Sequence, residues 1–294
     1  MLFRSRGPGR AAAHDGHDGV FIVRGRSTWP ASVGLTTVAT ADRIPCVDTF
    51  CGRTKGAGDI DGDGVHELLV QVDVNAVGLL DSEARGVLDT EDLVPLAIDD
   101  LHGSLARLED LDGDGHLDLV YRELFDNQRY LGVAFGPVPF DGSPIVTDAR
   151  LTSDNDNFVT PLHLPGDVTG NGLPDVLQQV KTYDETAPFV VIWDDIEGGS
   201  YSVDALDTRI ELDLDLDHIA HGPGDVNADG VADLVISSAN QQGPNPVYWQ
   251  FGPVEGSVAL SELPTMELPL HSSGYWGLSR GDVSGDGIDD ILWF

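Results

Sequence analysis

Cations are scarce in this chain: 294 residues hold 16 Lys and Arg against 50 Asp and Glu, a formal net charge of -34. Lys55 and Lys181 are its only lysines. A surface this acidic repels phosphate backbones and anionic lipid headgroups, so nucleic acid and membranes are poor partners and divalent cations good ones. Long apolar runs are lacking as well. Runs such as Leu93 to Ile98 are far short of the roughly 20 residues that span a bilayer. Residues 1–19, MLFRSRGPGRAAAHDGHDG, contain no apolar segment of the kind a secretory signal carries, and read as a disordered leader. Glutamate is rare too, at 11 of the 50 acids against 39 Asp. Charged helical surfaces favour Glu, whereas Asp belongs to turns and oxygen-ligand sites. No long stretch keeps a helical period. Two cysteines, Cys46 and Cys51, leave either a small local disulfide or two free thiols.

What the chain does have is a repeat, and an unrecognised repeat would mislead every later inference about fold. Nine-residue motifs start at Asp59 (DIDGDGVHE), Asp110 (DLDGDGHLD), Asp167 (DVTGNGLPD), Asp225 (DVNADGVAD) and Asp282 (DVSGDGIDD), at spacings of 51, 57, 58 and 57 residues. Each is followed by a short alternating or apolar run, such as LLVQVDV from Leu68 or DILWF from Asp290. Further strand-like runs follow, including Phe189–Trp193 and Val247–Phe251, separated by Gly, Pro, Asn and Asp clusters. Four short strands with their turns fill a unit of about 57 residues, close to the size of a propeller blade. The fold class expected is all-β: one β-propeller domain over 20–294 with about five four-stranded blades.

The motif's chemistry is that of an oxygen-ligand loop. Position one is Asp59, Asp110, Asp167, Asp225 and Asp282 in the five copies; position three is Asp61, Asp112, Thr169, Asn227 and Ser284. Position five is Asp63, Asp114, Asn171, Asp229 and Asp286. Position seven would offer a backbone carbonyl from Val65, His116, Leu173, Val231 and Ile288. Alternate side chains converge on one point only if the chain curls tightly, and every copy has Gly at position six for that turn. Hard oxygen donors, with no His, Cys or Met side chain among them, select Ca2+ over zinc or copper. An EF-hand would also need Glu at position twelve. That position holds Val70, Tyr121, Gln178, Ile236 and Trp293, so the acid at position nine (Glu67, Asp118, Asp175, Asp233, Asp290) is expected to close each site. Up to five ions are expected, with the loop at 167–175, which has two acids, the weakest.

Such loops between strands, closed by an acid at position nine and recurring about every 60 residues, resemble the FG-GAP or VCBS repeat of integrin alpha-chain propellers and of many bacterial secreted proteins. The Phe-Gly expected before the loop and the Gly-Ala-Pro after it are not kept, so the likeness is to the looser bacterial type. The resemblance implies an extracellular or cell-surface calcium propeller that binds or adheres to protein or glycan.

Counting back about 35 residues from each loop reaches the third strand of the preceding blade, and before Asp59 this lands on Val20–Val23. Asp290–Phe294 would then join Val20–Val23 in one split blade, closing a five-blade ring; a slice of a larger propeller, such as one of seven blades, is the alternative. His163 and His221 each lie four residues before a loop, either as ordinary strand residues or as a channel-lining pair. Trp193, Trp249, Trp276 and Trp293 read as blade core or as sugar-stacking platforms. No GxSxG, HExxH or P-loop is present. Arg280-Gly281-Asp282 overlaps position one of the fifth loop, which argues against an adhesion-ligand reading. A monomeric, non-catalytic module is expected; the alternatives are a polysaccharide lyase or hydrolase-associated domain and a structural spacer.

Overall fold

The computed structural model describes residues 2–5, 19–22, 43–45, 54–58, 60, 66–73, 76–80, 93–98, 107–125, 128–139, 141–153, 158–181, 188–213, 217–239, 245–268, 278–282 and 284–293. Among them the chain is all-β, with short 3-10 turns at Val203–Ala205 and Leu260–Glu262 and no α-helix. No helix among the described residues is long and apolar enough to cross a membrane. The chain divides into two compact units, residues 1–108 with 137–146, and 109–136 with 147–294.

In the first unit, β1 (Leu2–Ser5), β2 (Gly19–Ile22) and β3 (Arg43–Pro45) form a sheet with β2 central. Two expectations change here. Leu2–Ser5, placed by the sequence in a leader, is a strand in register with β2, Leu2 opposite Ile22. Among the described residues Val20–Ile22 lies between β1 and β3, and the last strand pairs with the one before it. A strand has two edges, and β1 and β3 occupy both edges of β2. The unit's other sheet is β4 (Thr54–Gly58), β5 (Glu67–Asp73), β6 (Ala76–Leu80) and β7 (Val94–Pro95), in that order.

The second unit repeats this order. One sheet runs β8 (Arg107–Glu109), β9 (Asp118–Phe125), β10 (Gln128–Ala134) and β11 (Ala149–Thr152). The next has β12 (Phe158–Gly166), β13 (Asp175–Val180) and β14 (Phe189–Trp193); β15 (Gly199–Ser202) leaves to pair with β11, and β16 (Arg209–Glu211) returns to β14. The third has β17 (Asp217–Gly224), β18 (Asp233–Ala239) and β19 (Asn245–Gln250); β20 (Ser257–Ala259) leaves to pair with β16, and β21 (Thr265–Leu268) returns to β19. β22 (Leu278–Gly281) and β23 (Asp290–Trp293) form a final antiparallel pair. All five nine-residue motifs therefore join the first and second strands of a sheet.

Period-two alternation explains why these sheets stack. Along β14 every residue is buried. Val191 and Trp193 face a core shared with Leu131, Val133 and Leu151 of the preceding sheet. Val190 and Ile192 face the opposite way, with Leu234 and Ile236 of the following one. A strand buried on both faces loses its polar alternation, as FVVIW shows. Each fully buried aliphatic side chain stabilises by about 1.5–3 kcal/mol, and no sheet gains this alone. The first strands of successive sheets also approach closely: a Cβ on Gly222 of β17 would lie 2.4 Å from Pro165 Cα of β12.

Candidate metal centres

Position one organises each described loop. In the second, Asp110 Oδ1 accepts the Gly113 N–H at 2.8 Å and Oδ2 accepts the Gly115 N–H at 3.1 Å. Asp167 does the same for Gly170, Asn171 and Gly172, and Asp225 for Asp229 and Gly230. Asp282 accepts from Gly285, Asp286 and Gly287, and these amides, Gly287 first, hold its carboxyl below the usual range. Curling the amides inward requires left-handed backbone at position six, where Gly115, Gly172, Gly230 and Gly287 have φ of 91, 93, 92 and 89°. Position four is left-handed too, and the fourth loop puts a non-glycine there, Ala228 at φ 62°.

Position five caps position seven throughout: His116, Leu173, Val231 and Ile288 donate their N–H to Asp114, Asn171, Asp229 and Asp286 at 2.8–2.9 Å. Position three varies. Asp112 accepts the Asp114 N–H at 3.1 Å and Asn227 accepts that of Asp229 at 2.9 Å. The Thr169 hydroxyl instead donates to Asp175 Oδ1 at 3.2 Å, and Ser284 Oγ lies 3.5 Å from Asp282 Oδ1.

Position nine does more than the sequence suggested. Asp118, Asp175 and Asp233 are fully buried, and each ties the loop's start to the strand after it. Asp118 Oδ2 accepts the Leu111 N–H at 2.6 Å, Asp175 Oδ2 that of Val168 at 2.7 Å, and Asp233 Oδ2 that of Val226 at 2.9 Å. Glu67 takes the Ile60 N–H at 2.9 Å and Asp290 the Ser284 N–H at 2.7 Å. The other oxygen reaches the end of the third strand: Gly136 donates to Asp118 at 2.7 Å and Gly252 to Asp233 at 3.0 Å. Burial pushes the Asp118 and Asp233 carboxyls up, and that of Asp175 to about 7. A dication beside them would favour the ionised forms.

Gly136 and Gly252 belong to an identical tetrapeptide, Phe-Gly-Pro-Val, at 135–138 and 251–254. Sequence reasoning sought Phe-Gly before the loop and missed it after the third strand, although the tetrapeptide repeat was the visible signal. Glycine is needed because a Cβ on Gly136 would lie 2.6 Å from His116 Cβ, and one on Gly252 2.4 Å from Val231 Cγ1. In the repeat between these two the residues at the register of Phe-Gly are Asp194-Asp195. There the second oxygen of Asp175 takes the Thr169 hydroxyl instead.

The second loop brings three ligands together: one carboxylate oxygen each from Asp110, Asp112 and Asp118 lie within 4.8 Å of one another. These three could hold a metal ion; Asp114 is outside this group and His116 offers its main chain only. Asp59, Asp61, Asp63 and Val65 lie outside the described residues, leaving Glu67 as the described member of the first loop. In the third loop the Asn171 amide donates to Asp195 at 3.1 Å, and with Thr169 also engaged the neutral donors are hydrogen-bonded within the protein.

Away from the loops, His163 and His221 are brought into edge-on contact, ring centroids 5.3 Å apart. Burial lowers the His221 pKa to about 4. Trp193 is fully buried against Tyr201, so it is core. Trp249 stacks on Phe251 at 6.1 Å, and Phe251 is exposed. Cys46, Cys51, Trp276 and residues 14–18 of the HDGHDG stretch lie outside the described residues.

Against known families, residues 225–293 match the FG-GAP-like repeat. The chain carries an FG-GAP-like repeat there, taking in the fourth and fifth loops and the strands between them. A search of curated proteins finds no match.

Proposed function

We propose that this chain is a calcium-stabilised β-propeller that works outside the cytoplasm as a non-catalytic module binding protein or carbohydrate. The observation that carries the proposal is the convergence of Asp110, Asp112 and Asp118 oxygens within 4.8 Å, in a loop whose hydrogen-bonded form recurs at Asp167, Asp225 and Asp282. The fit is one of donor chemistry: carboxylate, amide and main-chain oxygens suit a hard cation of flexible coordination. Calcium, when bound, would supply positive charge between acids that otherwise repel. Asp110, Asp112 and Asp118 would hold it in the second loop, with Asp110 also ordering the turn and Asp118 fastening it to β9. The corresponding residues are Asp225, Asn227 and Asp233 in the fourth loop, and Asp282, Ser284 and Asp290 in the fifth.

Sites of this type in extracellular modules bind at about 10⁻⁴–10⁻³ M, and so fill where calcium is millimolar and empty in cytosol. The FG-GAP-like repeat supports a binding or adhesion role. With 16 Lys and Arg against 50 acids, the chain is poorly supplied with groups to neutralise a sugar carboxylate, which favours binding over lyase chemistry. Thermal melts in millimolar calcium and in chelator test the reading. The midpoint should rise by several degrees with calcium, and an unchanged midpoint would overturn it.

A further inference from the structure

We infer that the fourth loop holds the third in shape, so that the two order as one unit and whatever occupies the fourth governs the third. The ties between them are observed contacts; only their control by calcium rests on the calcium reading proposed above.

Both ties start at Asp233, which closes the fourth loop, or at the residue before it. Ala232, at position eight, donates its N–H to Asp167 O at 2.7 Å. Asp167 is position one of the third loop, and its carboxylate gathers the amides of Gly170, Asn171 and Gly172. Asp233 Oδ1 in turn accepts the Gly252 N–H at 3.0 Å, and two residues further on Val254 donates its N–H to Val168 O at 2.8 Å. Val168 and Val254 are buried in the same core. The carbonyls of positions one and two of the third loop are thus fixed by chain that the fourth loop positions.

Side chains close over the same place. A Cβ on Gly170, position four of the third loop, would lie 3.2 Å from Pro253 Cβ and 3.7 Å from Val231 Cγ2. Val231 is position seven of the fourth loop, and Asp229 of that loop takes its N–H. Ordering the fourth loop therefore also sets the side chain that covers the third.

The third loop is the one that most needs such support. It has two acids, Asp167 and Asp175, where the second loop has four, so a cation would offset the least repulsion there. The ties run no further in that direction. Position eight of the third loop is Pro174, which has no N–H to offer Asp110 O. What remains between the second and third loops is an apolar contact, Leu173 lying over Gly113, where a Cβ would be 2.9 Å from Leu173 Cδ2. In the other direction the fifth loop repeats the tie onto the fourth at greater length, Asp289 N–H to Asp225 O at 3.4 Å.

The test is hydrogen exchange of the full chain read by mass spectrometry over 110–118, 167–175 and 225–233, first in chelator. Asp225→Ala removes the acceptor that curls the fourth loop. Exchange should quicken over 225–233 and also over 167–175, there by about ten-fold, as coupling between sites usually runs, while 110–118 stays unchanged. Ala232→Pro cuts one tie using the residue that the third loop itself has at that position. It should quicken exchange over 167–175 alone, and Asp225→Ala added to it should have a smaller effect there than on its own. In millimolar calcium, protection in the wild type should rise over both loops, and in Asp225→Ala over neither. Unchanged exchange over 167–175 in Asp225→Ala would overturn the inference, as would an equal rise over 110–118, the mark of general loosening. Calcium that alters exchange in none of the loops would overturn the control by calcium together with the calcium reading, and the chelator comparison would still decide the ties. Should Asp225→Ala not fold, Asp229→Ala, at an exposed position of the same loop, decides in its place.

Discussion

Gly136 donates its backbone N–H to Asp118 Oδ1 at 2.7 Å across 18 residues, closing the third strand of a sheet onto the loop between its first and second. The same carboxylate takes the Leu111 N–H on its other oxygen, so one buried acid joins three strands.

Asp118→Ala should therefore destabilise the protein even in chelator. Two main-chain donors would lose their partner, at roughly 1–3 kcal/mol each where burial is complete. Asp112→Ala, whose side chain is exposed, should instead lose only the calcium-dependent increment. Urea unfolding of both variants with and without calcium distinguishes the two; equal losses in chelator would show that position nine is not a structural pin.

Ala228 occupies a left-handed position that the second, third and fifth loops fill with glycine. Left-handed backbone costs a residue with Cβ about 1–2 kcal/mol, part of which glycine returns as unfolded-chain entropy. Ala228→Gly should stabilise the protein by roughly 0.5–1 kcal/mol, seen as a higher urea midpoint at unchanged slope.

Burial depresses the His221 pKa to about 4 from the usual histidine value of 6.5. The unfolded chain then binds a proton that the folded one refuses. Stability from this group is complete above pH 6.5 and is lost as pH falls toward 4. The shift corresponds to about 2 kcal/mol between pH 7 and pH 5. His221→Leu should flatten that part of the profile relative to wild type, with urea midpoints at the two pH values as the measure. An identical slope in both proteins would mean that the imidazole next to His163 titrates normally.

Arg280-Gly281-Asp282 spells an adhesion tripeptide, yet the Asp282 carboxylate is engaged by three amides of its own loop. Arg280→Ala should leave calcium titration by calorimetry nearly unchanged, and Asp282→Ala should remove a site. The opposite result would restore the ligand reading.

The sequence by itself determined the features that arise within a few residues. Asp at position one and Gly at position six curl a nine-residue loop whose hydrogen bonds are local, so the four described loops and the strand after each motif were legible, as was the all-β class. Tertiary structure decided whatever depends on partners far along the chain. Asp118 meets Gly136, β15 and β20 leave their own repeats to cover the preceding sheet, and His163 meets His221 across two first strands. None of these contacts leaves a periodic trace, because a strand's alternation records which faces are buried but not which strand lies at its edge. The last strand likewise read as a partner for Val20–Val23, but β1 and β3 take both edges of β2.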